Sequence, residues 1–431
     1  MSNTNYVVAS KGMTCHLLRG YISLSVFLMG CSVLVLPSGY SIGPVLLLLA
    51  SASLLLVKKS NHMNKSDWLI VIVLSGYAFV VGGMSFIEVG SRGLDRPIRF
   101  LLALPVLFLV LRYPPKLAAL WLGLATGASL AGGWAAWQKF GEGVWRAGGF
   151  THVIQFGNLS MLMGVLCFAG LGWAFARSRF KYAYLGFLAF GGAMGMLGSF
   201  LSGSRGGWIG LPVVAYVLYR AYCQQFSNKL KVGVFVGLLL AGLLVYSVPQ
   251  TGVQSRVNDA LSDVSLYYSG ENRDTSLGLR FEMWRGAGQL IAQRPLLGWG
   301  EEGYAEAMQR LGNEQVITQQ ASEFGHAHNE YIDAFAKRGI IGLVVLLAIY
   351  FVPLRLFASG LHHASLELRS LAVAGTLLSV GYIDFGLSQA FLAHNSGVMF
   401  YPFWLVLFWG CYSALDKKRA MTLTPERRVH R

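Results

Sequence analysis

A chain of 431 residues that is 54% hydrophobic and only 13% charged carries about half the roughly 25% charge of a soluble domain, which excludes a soluble globular enzyme. Its apolar runs reach the roughly 20 residues that cross a bilayer as helix and lack the alternation of a transmembrane barrel. The fold class is therefore an all-α polytopic integral membrane protein, and the net charge of +15 is expected to be shared between membrane faces, with no nucleic-acid partner.

The first apolar run follows Lys11, His16 and Arg19 and has no small-residue cleavage site after it, so it reads as a retained first helix. Spans are predicted near 19–36, 40–57, 67–86, 97–111, 116–137, 153–176, 182–200, 206–222, 230–248, 339–357, 367–389 and 397–415. This divides the chain into a block of nine helices (1–248), one large loop (249–338), three more helices (339–415) and a basic tail (416–431). Lys58, Lys59, Lys65, Arg112, Lys116, Arg177, Arg179, Lys181, Arg220, Lys229, Lys231, Arg355, Arg369 and the tail crowd one side in short loops nearly free of acids. That side is the cytoplasmic face by the positive-inside rule, and an even number of spans puts both termini there. Cys15, Cys31, Cys167, Cys223 and Cys411 show no metal or redox spacing and read as packing residues.

The remaining basic residues, Arg92, Arg96, Lys139, Arg146, Arg205, Arg256, Arg280 and Arg285 among them, fall on the far side, where topology does not require them. Arginine pairs well with phosphate oxygens; ion pairing with loop acids such as Asp259, Asp263 and Glu282 is the plainer alternative.

In chain order, Ser202-Gly203-Ser204-Arg205-Gly206-Gly207 lies between two spans, an arginine at membrane depth in a glycine turn. It is not a Walker loop, since the lysine and hydroxyl are missing. Within the large loop, Phe281, Trp284, Ala287 and Ile291 recur at helical spacing and predict a helix over 279–293, ended by Arg294-Pro295. Arg280 sits near its start, where free N–H groups also favour anions, with Arg285 on a different face. A second helix is predicted over 302–311 and a third from about His328. His326-Ala-His328-Asn329-Glu330-Tyr331 ends the loop at the mouth of a span, and histidine suits proton transfer near neutrality. Two histidines at i, i+2 make a poor metal pair, so a general base is the favoured reading. His326 is also placed to pair with Glu330. Asp384, inside the eleventh span, is expected to pair with an arginine or to orient the histidine.

Taken together, Ser204-Arg205-Gly206, Arg280 with Trp284, Arg294-Pro295-Leu296-Leu297-Gly298-Trp299-Gly300, and His328-Asn329-Glu330-Tyr331 followed by Gly339-Ile340-Ile341-Gly342-Leu343 resemble the O-antigen ligase and O-antigen polymerase superfamily. The resemblance implies a GT-C-like membrane glycosyltransferase of about twelve helices, active on the periplasmic side of a Gram-negative inner membrane. It implies an undecaprenyl-diphosphate-linked O-antigen as donor, lipid A–core as acceptor, and neither metal nor cofactor. His328 is implied as base, with Arg205 and Arg280 as cations for the diphosphate; the residues alone leave His326 and His328 open. Arg146, Arg285, His326, Asn329, Tyr331, Trp284, Arg92, Arg96 and Lys139 are expected to bind substrate. A polymerase, a protein oligosaccharyltransferase and, from another class, a lipid-linked glycan transporter are the rival readings.

Overall fold

The computed structural model describes residues 2–56, 63–224, 227–248 and 253–423; Lys58, Lys59, Arg427, Arg428 and Arg431 lie outside them. Among the described residues every regular element is helical. The first block comprises α1 (Ser2–Cys31), α2 (Gly39–Ser51), α3 (Lys65–Val89), α4 (Ile98–Arg112), α5 (Leu117–Ala136), α6 (Val153–Ala169), α7 (Leu171–Phe175), α8 (Lys181–Ser202), α9 (Leu211–Leu218) and α10 (Asn228–Ser247). The loop carries α11 (Val253–Ser269), α12 (Ser276–Gln293), α13 (Glu301–Asn313) and α14 (Gln319–Ser322). Then come α15 (Glu330–Ala358), α16 (Leu366–Gly386) and α17 (Asn395–Leu423).

Among the described residues seven segments are long and apolar enough to cross a membrane: Lys65–Leu94, Leu117–Gly141, Val153–Phe175, Lys181–Ser202, Glu330–Ala358, Leu366–Gly386 and Asn395–Thr422. The chain is thus an all-helical polytopic membrane protein, and the count of twelve spans goes beyond the seven full-length ones found among its described residues. The expected first, second and eighth spans are the shorter helices His16–Cys31, Gly39–Leu55 and Leu211–Cys223. The eighth is shortened because Arg205–Gly207 turns as a 3-10 segment before α9 begins.

Small residues set the helix spacing. A β-carbon on Gly195 of α8 would lie 2.7 Å from the Cα of Gly164 on α6, so only glycine permits that crossing. At one end of the bundle Asn64 and Asp67 form a reciprocal capping box that starts α3. The fully buried Asp67 also accepts from Trp409 Nε1 at 2.9 Å, Ser413 Oγ at 2.7 Å and Lys417, tying α3 to the last turns of α17.

The large loop folds around its own core, in which Met283, Ala287 and Leu290 of α12 meet Tyr304, Met308 and Leu311 of α13. The Thr275 hydroxyl caps α12, which therefore begins three residues earlier than its apolar spacing indicates. α11 was not expected; Val257, Leu261 and Val264 carry helical spacing, but the polar residues between them read as loop.

The glycines of the 294–300 motif have a mechanical purpose. The backbone N–H groups of Trp299 and Gly300 donate to Ala336 and Lys337, and Ile340 N–H donates to Pro295. Two chain segments therefore cross backbone to backbone, with Gly298, Gly300 and Gly339 all at positive φ (74°, 75° and 60°). Gly339 breaks α15, so residues 330–338 pack with the loop and the apolar stretch follows. Lys337 and Arg338 both pair with Glu301 at 2.8 Å. Burial alone would raise the Glu301 carboxyl, but those two cations outweigh it and hold it at about 2. Glu88, at the end of α3, accepts the Glu302 N–H at 2.6 Å, a carboxylate at the positive end of α13.

Candidate active site

His328 occupies the left-handed region, with φ 47°, a conformation that costs a non-glycine residue roughly 1–3 kcal/mol and persists only when its surroundings impose it. They do so from three directions. Ala327 N–H donates to Asp333 Oδ1 at 3.0 Å, and Trp284 Nε1–H donates to the Ala327 carbonyl at 2.8 Å. Asn329 Oδ1 caps the N–H groups of Tyr331 and Ile332, and its Nδ2 donates to Leu387. Tyr331 Oη–H donates to Ile383. Trp284, Asn329 and Tyr331 thus fasten the histidine turn to α12 and α16.

The imidazole of His328 faces Gln389, its Nδ1 2.6 Å from Oε1. Gln389 Nε2 lies 3.0 Å from His394 Nε2. His394 stacks on His152 at 6.1 Å between ring centroids, and His326 meets His328 edge-on at 4.2 Å. Four histidines from three separate parts of the chain therefore share one end of the bundle. Burial, then His326 and Arg280, push His328 down to about 4. Burial, then His152, His326 and Arg96, bring His394 to about 4. His326 is lowered chiefly by burial, and His152 by burial and Arg146. At those values both rings are neutral at pH 7, and a neutral imidazole keeps one nitrogen free to accept a proton or a hydrogen bond.

Two expected pairings do not form. Glu330 Oε2 accepts from Leu392 N–H at 2.9 Å rather than meeting His326. Asp384 takes a hydrogen bond from the Gly210 backbone, and it is Gln389, not Asp384, that contacts His328. The reason is geometric: Asp384 sits within α16 on the face turned toward Gly207 and Gly210, whereas Gln389 follows the end of that helix at Gly386.

Half-buried Arg280 lies close enough for its charge to depress His328. The Arg205 side chain lies outside the described residues, but its backbone opens the Arg205–Gly207 turn. That turn rests on the end of α16: a β-carbon on Gly206 would sit 2.0 Å from Ser388 Oγ, next to Gln389. Arg146 holds the residues just before that turn, through Nε to the Ser202 carbonyl at 2.8 Å and Nη2 to Ser204 Oγ at 3.3 Å. The structure so brings Arg146, Arg280, His326 and His328 to the end of the bundle where the backbone turn Arg205–Gly207 lies. Arg285 instead faces the buried Glu282 at 3.8 Å. Lys139 bonds the Trp145 carbonyl at 2.8 Å and lies over its ring. Arg92 and Arg96 are exposed between α3 and α4, and Arg96 reaches the cluster electrostatically, through His394.

Gln389, His394 and His152 escape a reading of the sequence. Their only local signal is position, at polar breaks Ser388-Gln389 and His394-Asn395-Ser396 between apolar runs and at the residue before α6.

Residues 190–347 match the family described as O-antigen ligase. An uncharacterized protein of Haemophilus influenzae is 31% identical over 383 residues, 88% of this chain and 95% of that protein. The O-antigen ligase of Escherichia coli is 26% identical over 185 residues, 42% of this chain and 41% of the ligase. The exopolysaccharide production protein ExoQ of Rhizobium meliloti is 27% identical over 169 residues, 34% and 38% of the two chains.

Proposed function

The chain belongs to the O-antigen ligase superfamily, and we propose that it transfers a glycan from undecaprenyl diphosphate to lipid A–core, by inverting and metal-independent chemistry. In this reading the chain crosses a Gram-negative inner membrane twelve times in a GT-C-like arrangement. Both termini are cytoplasmic and the histidine cluster faces the periplasm.

The observation that carries it is the approach of His328, Arg280 and the Arg205 turn at one end of the bundle. A periplasmic transferase has no nucleotide sugar to draw on, whereas a lipid diphosphate is already a good leaving group. What the reaction then needs is positive charge where the bond from phosphate oxygen to sugar C1 breaks. Arg205 and Arg280 supply that charge, preorganised where little water competes. The acceptor hydroxyl oxygen attacks C1 from the opposite face. His328 Nε2 takes its proton, the glycosidic bond forms, and undecaprenyl diphosphate leaves with the electron pair. A diphosphate against Arg280 cancels part of the charge that depresses His328, so the base strengthens when the donor is in place. Arg146, by holding the Ser202–Ser204 turn, sets the position of Arg205. Arg92, Arg96 and Lys139 are assigned to the acceptor's phosphates.

The test is reconstitution: protein in liposomes with EDTA, a lipid-diphosphate glycan and lipid A–core. A glycan ladder on lipid A–core is the expected result. Lengthening of the donor-linked glycan instead would identify a polymerase and overturn the acceptor assignment.

A further inference from the structure

We propose that Gln389 is a positioning residue that selects the reactive tautomer of His328, and that His394 holds Gln389 in the orientation that does so. The inference rests on the reading of His328 as the base.

A primary amide has one end that only accepts and one that only donates. Gln389 is 2% exposed and lies between two imidazoles, with Oε1 2.6 Å from His328 Nδ1 and Nε2 3.0 Å from His394 Nε2. Since Oε1 accepts, His328 carries its proton on Nδ1, and its Nε2 keeps the lone pair that takes the acceptor's proton. Since the amide Nε2 donates, His394 presents a bare Nε2 and carries its own proton on Nδ1.

Turn the amide by half a revolution and the outcome reverses. His328 Nδ1 would have to accept, the proton would move to Nε2, and no lone pair would face the acceptor. Nothing in the shape of an amide chooses between these orientations; the neighbours choose. A neutral His394 with a bare Nε2 selects the working one. The groups facing His394 are His152, His326 and Arg96, and those facing His328 are His326, Arg280 and His394. All are basic, and together with burial they keep both rings neutral, which the arrangement requires. A wrong tautomer in the base of a hydrolytic triad abolishes most of the rate without disturbing geometry.

The experiment compares the wild type with Gln389→Met, Gln389→Glu, His394→Ala and His328→Ala in the reconstituted transfer assay. Thermal unfolding of each confirms that it folds. Gln389→Met keeps the volume and removes both hydrogen bonds; kcat is expected to fall roughly 10²-fold with KM little changed. Gln389→Glu accepts at both ends, so it keeps the His328 proton on Nδ1. It is expected to retain most of kcat while moving the acid limb of the pH profile up by about one unit. His394→Ala, which frees the amide to turn, is expected to lie between wild type and Gln389→Met. A folded Gln389→Met with the wild-type kcat and pH profile, or a folded Gln389→Glu as inactive as Gln389→Met, overturns the inference. If His328→Ala retains full transfer, the base assignment fails instead, and the tautomer inference falls with it. An inactive His328→Ala beside a fully active Gln389→Met overturns the tautomer inference alone.

Discussion

Gly206 and Ser388 touch so closely that a β-carbon on the glycine would fall 2.0 Å from the serine Oγ and 3.0 Å from its Cβ. The contact joins the Arg205 turn to the segment that carries Gln389. Gly206→Ala is expected to push the two apart and lower transfer at least roughly 10-fold, given how steeply rate depends on placement. Ser388→Ala alone should be nearly silent, because its hydroxyl makes only a 3.5 Å bond to Phe385. The double variant should recover part of the loss. Single-turnover rates of the three proteins measure this, and equal loss in Gly206→Ala with and without Ser388→Ala would show that the contact does not matter.

Trp284→Phe keeps the ring's packing and removes the bond to the Ala327 carbonyl. A hydrogen bond of this kind contributes about 1 kcal/mol, a small loss of stability. The strained φ of His328 depends on the same carbonyl, so transfer should fall more than stability does. Thermal unfolding and kcat, measured together, separate the two effects.

Gly339→Ala confronts both its positive φ and a β-carbon 2.1 Å from the Leu296 carbonyl oxygen. At φ 60° and ψ −165° the backbone conformation alone costs a non-glycine residue roughly 1–3 kcal/mol, and the clash adds to it. Folded protein recovered from membranes should drop sharply. Gly83→Ala, where a β-carbon meets nothing within 4 Å, is the matched control and should be tolerated.

Stability should fall with acidification in two stages. His328 and His394 stand at about 4 in the folded protein and near 6.5 when unfolded. The unfolded chain therefore binds more protons between those values, and stability is lost as pH falls from 6.5 to 4. Glu301 stands at about 2 against an ordinary value of 4.5, so its contribution is complete above 4.5 and is lost as pH falls toward 2. Unfolding midpoints across pH should show both, with the lower stage flattened in Glu301→Gln and the upper in His394→Asn.

Asp67→Ala removes the acceptor shared by Trp409, Ser413 and Lys417. Breaking a buried ion pair costs roughly 3–5 kcal/mol, and the unfolding midpoint should fall accordingly. The 25 residues of α3 separate this end of the bundle from Glu88 and the loop. Transfer per folded molecule should therefore be unchanged, which a quantified assay on the purified folded fraction checks.

The all-helical membrane class, the ordered motifs and the helices near 279–293 and 302–311 are legible in the sequence because each depends on local quantities: hydropathy over one span, apolar spacing over one helix, a proline after an arginine. Tertiary structure alone decided the surroundings of His328. Gln389 is 61 positions away from it, and the amide's neighbour His394 stacks on His152 from the start of α6. Asp384, the more conspicuous polar residue on α16, was the natural partner to expect. Its helical phase turns it toward Gly210 instead. A hydrogen bond needs two atoms within about 3 Å, and such proximity between distant segments comes only from how the helices pack.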